Sequence, residues 1–96
     1  MIGLLKIKNA VENIYKGVSI DKTIGYTSYK TVDARKTYCK LSKELTRCSF
    51  QTIGEFIGIN NHSLIFYYCK KAIDHIETDN EFNKKYNKLI KTCNEN

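Results

Sequence analysis

Apolar residues recur at intervals of three and four along almost the whole chain, and no proline interrupts them. This constrains the fold more than any motif. A period of 3.6 puts such residues on one helix face, and proline, the strongest helix breaker, never intervenes. Leu4, Ile7, Val11 and Ile14 predict an amphipathic helix over residues 2–16, with Gly17 as its stop. Ala34, Tyr38, Leu41, Leu45 and Cys48 stripe a helix capped by Thr31 and running to about Arg47. Phe50, Ile53 and Ile57 mark a short helix, and Ile65, Cys69, Ala72, Ile73 and Ile76 mark a longer one. A last helix carries Phe82, Tyr86, Leu89, Ile90 and Cys93 and opens at a capping box, Thr78-Asp79-Asn80-Glu81. Between these, Ser19-Ile20-Asp21-Lys22 reads as a capped single turn and Gly25 to Lys30 as an exposed loop. With no alternating strand pattern, repeat or linker, residues 1–96 are expected to form one all-α domain of about five to six helices.

The charge is uneven. Residues 1–73 carry 12 basic and 5 acidic groups, residues 74–96 carry 4 and 5, and the whole chain has a formal charge of +6. A basic body beside a neutral tail points to one side that faces a polyanion. Lys36, Lys40, Lys43 and Arg47 concentrate that charge. They follow the rhythm of the Ala34 stripe about 150° around the helix axis. Glu44 is the acid near them, beside Lys40, so the row reads as a phosphate-contacting face.

The stretch Ser49–Ile76 reads as a helix-turn-helix spanning residues 49–76. Gly58 can adopt the left-handed conformation that ends the first helix, and the Asn61 side chain can cap the second. Asn61, His62 and Ser63 then sit in the first turn of the second helix, where a major-groove helix presents side chains to base edges. Asn pairs bidentately with adenine, and Ser and His donate or accept at several bases. Ser63, Tyr67 and Lys70 continue outward along that helix.

Other chemistry finds little support. There is no phosphate-binding glycine loop, and His62 and His75 stand apart from any nucleophile or ligand set, so neither catalysis nor a cofactor is expected. Cys39, Cys48, Cys69 and Cys93 include no close pair of the kind zinc sites use, and they read as small buried hydrophobes in a reducing compartment. No apolar run is long enough to span a membrane and no signal sequence is evident, so a cytoplasmic monomer is expected.

The ordered set Ala34-Arg35, Lys43-Glu44-Leu45-Thr46, Ser49, Ile53-Gly54, Gly58 and His62 resembles the C-terminal DNA-binding domain, domain IV, of the bacterial replication initiator DnaA. That family carries A-R-Q, L-x-K/R-E-L-T, S-L-P-E-I-G, F-G-G and R-D-H-T-T in the same order. The resemblance covers roughly residues 4–93. It implies a Trp-repressor-like, DnaA domain IV-like fold and double-stranded DNA as partner. It also implies phosphate contacts from Arg35 and Lys43, with Lys36 standing where the family usually has Gln. Phe50 and Gln51, after Ser49, fall where backbone amides meet a phosphate, and His62-Ser63 match the base-reading His-Thr. Asn60-Asn61 replace the family's Arg-Asp, and Leu64 replaces its second Thr. Lys30 is the cation left in the loop where the family sends an Arg into the minor groove. The chain is expected to be a stand-alone relative, bacterial or phage-encoded, acting in replication initiation or its regulation. A replication or transcription protein is a further expected partner.

Two other functions compete with this one. A protein-interaction adaptor would use the Phe66, Tyr67 and Tyr68 region. A single-strand or RNA binder would stack bases on Tyr26 and Tyr29.

Overall fold

The computed structural model describes residues 3–21 and 28–94. Among these the chain forms five α-helices and no strand: α1 (Leu4–Ile14), α2 (Tyr29–Leu45), α3 (Phe50–Phe56), α4 (His62–Thr78) and α5 (Asn80–Asn94). No helix among the described residues is long and apolar enough to cross a membrane.

The apolar stripes become the core. Ile7, Val11, Ala34, Tyr38, Leu41, Ile53, Ile65, Ala72 and Leu89 are all buried, and α2 lies at the centre, packed against each of the other four helices. Burying their side chains, at roughly 1.5–3 kcal/mol for each large one, is what holds short helices that would not stand alone in water. Two hydroxyl pairings inside this core join different elements. The Tyr38 hydroxyl donates to the Ile53 carbonyl at 2.8 Å, joining α2 to α3. Tyr15 and Thr37 share a buried hydroxyl–hydroxyl bond of 2.9 Å between the end of α1 and α2.

Several local expectations are corrected by longer-range partners. Ser28, not Thr31, caps α2: its Oγ accepts from the Thr31 amide, so Tyr29 and Lys30 lie in the first helical turn. The rest of the expected loop, and Tyr26 with it, falls outside the described residues. Ser19, Ile20 and Asp21 form no helical turn. Ile20 is instead buried, with its amide donating to Glu12 Oε2 at 2.9 Å (Lys22 is outside the described residues). The expected capping box gives way to a single cap one position later. Thr78 ends α4 with its hydroxyl donated to the Asp74 carbonyl, and Asp79 Oδ1 accepts from the Glu81 and Phe82 amides to open α5.

The α3–α4 connection follows its local signals. Gly58 has φ +80°, a left-handed value only glycine adopts freely, and the Asn61 side chain accepts from the Leu64 amide. Gly54 is needed for a different reason: a Cβ there would lie 2.6 Å from the Ile59 carbonyl oxygen and 2.8 Å from Ile65 Cγ1. Its missing side chain lets the turn and α4 press directly onto α3.

Candidate nucleic-acid interface

α2 ends at Leu45, two residues before Arg47, because Thr46 leaves helical geometry (ψ 171°) and its hydroxyl donates back to the Ser42 carbonyl at 2.7 Å. The expected cationic row therefore breaks. Arg47 sits exposed in the α2–α3 connection, off the helix. Lys36 pairs with Asp33 at 3.9 Å, an acid three residues back. Lys40 pairs with Glu44 at 3.6 Å and approaches the Tyr86 ring at 5.7 Å. No ion pair among the described residues engages Lys43, Arg47 or Lys70. These three, on α2, the α2–α3 connection and α4, are cations that no described carboxylate engages.

Arg35 is a correction. It is only 6% exposed, and its Nε and Nη2 donate to the carbonyls of Ile20 and Asp21 at 2.8 and 2.9 Å. The guanidinium satisfies buried backbone oxygens that no helix pairs, which is a structural task.

Lys43 is held in place. Its Nζ lies 4.5 Å from the Phe50 ring centroid and donates to the Cys48 carbonyl at 3.2 Å. Phe50 in turn meets Phe66 of α4 edge to face, with centroids 5.6 Å apart. Ser63 precedes Phe66 by three residues and lies about 60° from it around α4, while Lys70 is about 20° from Ser63. Lys43, Phe50, Phe66 and Lys70 thus line one groove, and Ser63 is the α4 residue that continues the Phe66–Lys70 face toward the helix N-terminus.

At the head of that face Asn60, Asn61, His62 and Ser63 are all exposed, and Leu64 is half-buried. The Asn61 oxygen is used for capping, so its amide nitrogen is the group left to face outward. Leu64, Asn60 and Asn61 line a hollow that reaches back to Arg35 and Tyr68. On α3, Ser49 spends its Oγ on the Thr52 amide, and Gln51 donates to Glu55 at 3.2 Å. Tyr67 is half exposed, with Lys71 over its ring at 5.6 Å. Lys30 is exposed at the far end of α2, in its first turn.

Two residues of α4 depart from expectation, Ile73 of the core stripe and Tyr68 of the region assigned to an adaptor surface. Ile73 is 45% exposed, and Tyr68, expected outside, is buried. At 100° per residue Ile73 lies about 70° from the centre of the Ile65–Cys69–Ala72–Ile76 stripe and about 20° from Phe66. Phe66 and Ile73 belong to the outward face, and their angular neighbourhood is the only sequence signal for it. Cys69, beneath them, is buried, and burial pushes its thiol up to about 11 while Lys40 and Lys43 pull the other way. Cys39 and Cys93 are buried as well.

No model of a known protein family matches the chain.

Proposed function

We propose that this protein is a double-stranded DNA-binding domain in which α3 and α4 act as a helix-turn-helix and α4 enters the major groove by its first turn. One observation carries the reading: Lys43 is stacked on Phe50, Phe50 packs on Phe66, and Ser63 opens the same face of α4. A single duplex can then meet cations at its phosphates and Asn61, His62 and Ser63 at its base edges. Lys43, Arg47 and Lys70 supply the phosphate contacts, with Lys30 a more distant cation. Arg35 is left out because it is buried, with its Nε and Nη2 turned inward onto the carbonyls of Ile20 and Asp21. The ordered resemblance to DnaA domain IV supports the same reading and suggests replication initiation, or its regulation, as the process.

Fluorescence anisotropy with labelled duplexes at rising salt tests this. Affinity should fall linearly in log–log form, with a slope near −0.9 for each phosphate neutralised, so about −3 for three cations. Selection from a random duplex library should enrich one short site. Absence of duplex binding at low salt would overturn the reading.

A further inference from the structure

Between α2, α3 and α4 lies a groove of about 400 Å³. Phe50, Phe66 and Ile73 line it, with the buried Cys69 beneath, and Phe66 and Ile73 keep 46% and 45% of their surface in water. Lys40, Lys43 and Lys70 stand along its edge against one carboxylate, Glu44. That carboxylate is already engaged by Lys40 and the Tyr86 hydroxyl. Two large apolar side chains left half in water inside a rim of ammonium groups are more than phosphate binding requires. Phosphates need the cations and have no use for the apolar floor.

We propose that this groove binds an acidic amphipathic helix of a partner protein. Its large apolar side chains, one turn apart, would seat over Phe66 and Ile73, and its flanking carboxylates would meet Lys43 and Lys70. Helices that dock this way present anchors at i, i+4 and i+7, matching a floor built mainly from one face of α4. Charge argues against a second copy of this chain as occupant, since two bodies of net charge +6 would meet through their lysines. The chain's own acidic cluster, Asp74 to Glu81, lies beside Phe82, which is buried and cannot serve as an anchor. Lys43 and Lys70 are also cations of the DNA reading, so helix and duplex should compete. Only that corollary rests on the DNA reading.

The test is a DNA-free anisotropy titration. The probe is a fluorescein-labelled peptide of about 16 residues, roughly four turns, with Leu at i, i+4, i+7 and i+11 and Glu at most other positions. A peptide of the same composition in scrambled order is the control. The ordered peptide should bind saturably and about tenfold or more tightly than the scrambled one. Ile73→Ser, at an exposed position, should weaken it by a similar factor with the circular dichroism spectrum unchanged. Lys70→Glu should weaken it in a salt-dependent way. Equal binding of ordered and scrambled peptides would overturn the proposal, as would indifference to Ile73→Ser. Sedimentation showing a dimer that Ile73→Ser dissociates would also overturn it, in favour of a second copy. Peptide binding without duplex binding would remove the DNA reading alone, and the converse would remove this one.

Discussion

Lys43 and Phe50 stand on different helices yet form one unit, with the ammonium 4.5 Å from the ring centroid and donated to the Cys48 carbonyl between them. A lysine side chain in water loses rotamer freedom whenever it engages a ligand. Here part of that ordering is already done by the fold. Because Phe50 also packs on Phe66, the cation is positioned relative to α4 as well as to α2.

Lys43→Ala should therefore weaken duplex binding to every sequence by a similar factor and reduce the steepness of the salt dependence by about one phosphate. The melting temperature should shift little, since Lys43 is exposed. A change in sequence preference on Lys43→Ala would contradict the phosphate role.

His62→Ala and Ser63→Ala should behave in the opposite way. Both residues are exposed in the first turn of α4 and bear little of the core, and on the proposed DNA reading they would face base edges. Each should flatten the preference for the selected site, at about 1–3 kcal/mol for a good base contact, and leave nonspecific affinity nearly intact. Competition between the selected duplex and a random one reads the difference directly.

Features written in neighbouring residues were legible without coordinates. The core faces of Val11, Tyr38, Ile53, Ile65 and Leu89 follow from helical period alone, and Gly58 and Asn61 do what their local chemistry suggests. The departures share one cause, a partner distant in sequence or a competing neighbour. Arg35 turns inward because residues 20–21 bring unpaired carbonyls to it, 14 and 15 residues back along the chain. Thr31 and Thr78 lose their capping roles to Ser28 and Asp79, equally good cappers within three residues, and period cannot choose between them. Ile73 sits at the edge of its stripe, where period alone does not say whether a neighbouring helix covers it.

Arg35→Lys separates the two roles open to that residue. Lysine keeps the charge but cannot reproduce the fork that reaches two carbonyls. Losing one charged hydrogen bond should cost about 1.5–3 kcal/mol, which lowers the melting temperature by several degrees in a domain of this size. Duplex affinity measured well below that transition should be nearly unchanged. A variant that melts like the wild type but binds duplex poorly would return Arg35 to the phosphate contacts.

Gly54→Ala tests the close approach of α3 to the turn. Alanine is the better helix former by about 1 kcal/mol, so propensity alone predicts a gain. The added Cβ would instead meet the Ile59 carbonyl oxygen at 2.6 Å, a backbone atom that cannot rotate away. The clash should win, with a net loss of about 1–3 kcal/mol by thermal or urea melting. Gly3→Ala, at the N-cap of α1 where a Cβ meets nothing within 4 Å, carries no clash and should lose clearly less stability.

Alkaline pH should destabilise the protein through its buried acids. Burial raises the thiols of Cys39, Cys69 and Cys93 above their ordinary 9.0, Cys69 to about 11, and it raises the Tyr38 and Tyr86 phenols above 10.0. The folded state holds these groups neutral after the unfolded chain has begun to release their protons. Above about pH 9 the unfolded state therefore binds fewer protons, and stability must fall as pH rises. Their contribution is fully present below pH 9 and disappears progressively as pH climbs through the folded-state values, to about 11 for Cys69. Melts in reductant at about pH 8 and about pH 10.5 should show a clear drop in melting temperature, and an unchanged value would contradict the burial. The same burial orders thiol chemistry. At about pH 8 only about 0.1% of a thiol titrating near 11 is thiolate, so maleimide should modify the half-buried Cys48 first and reach the other three only with denaturant. Mass spectrometry of the labelled peptides would reveal any departure from that order.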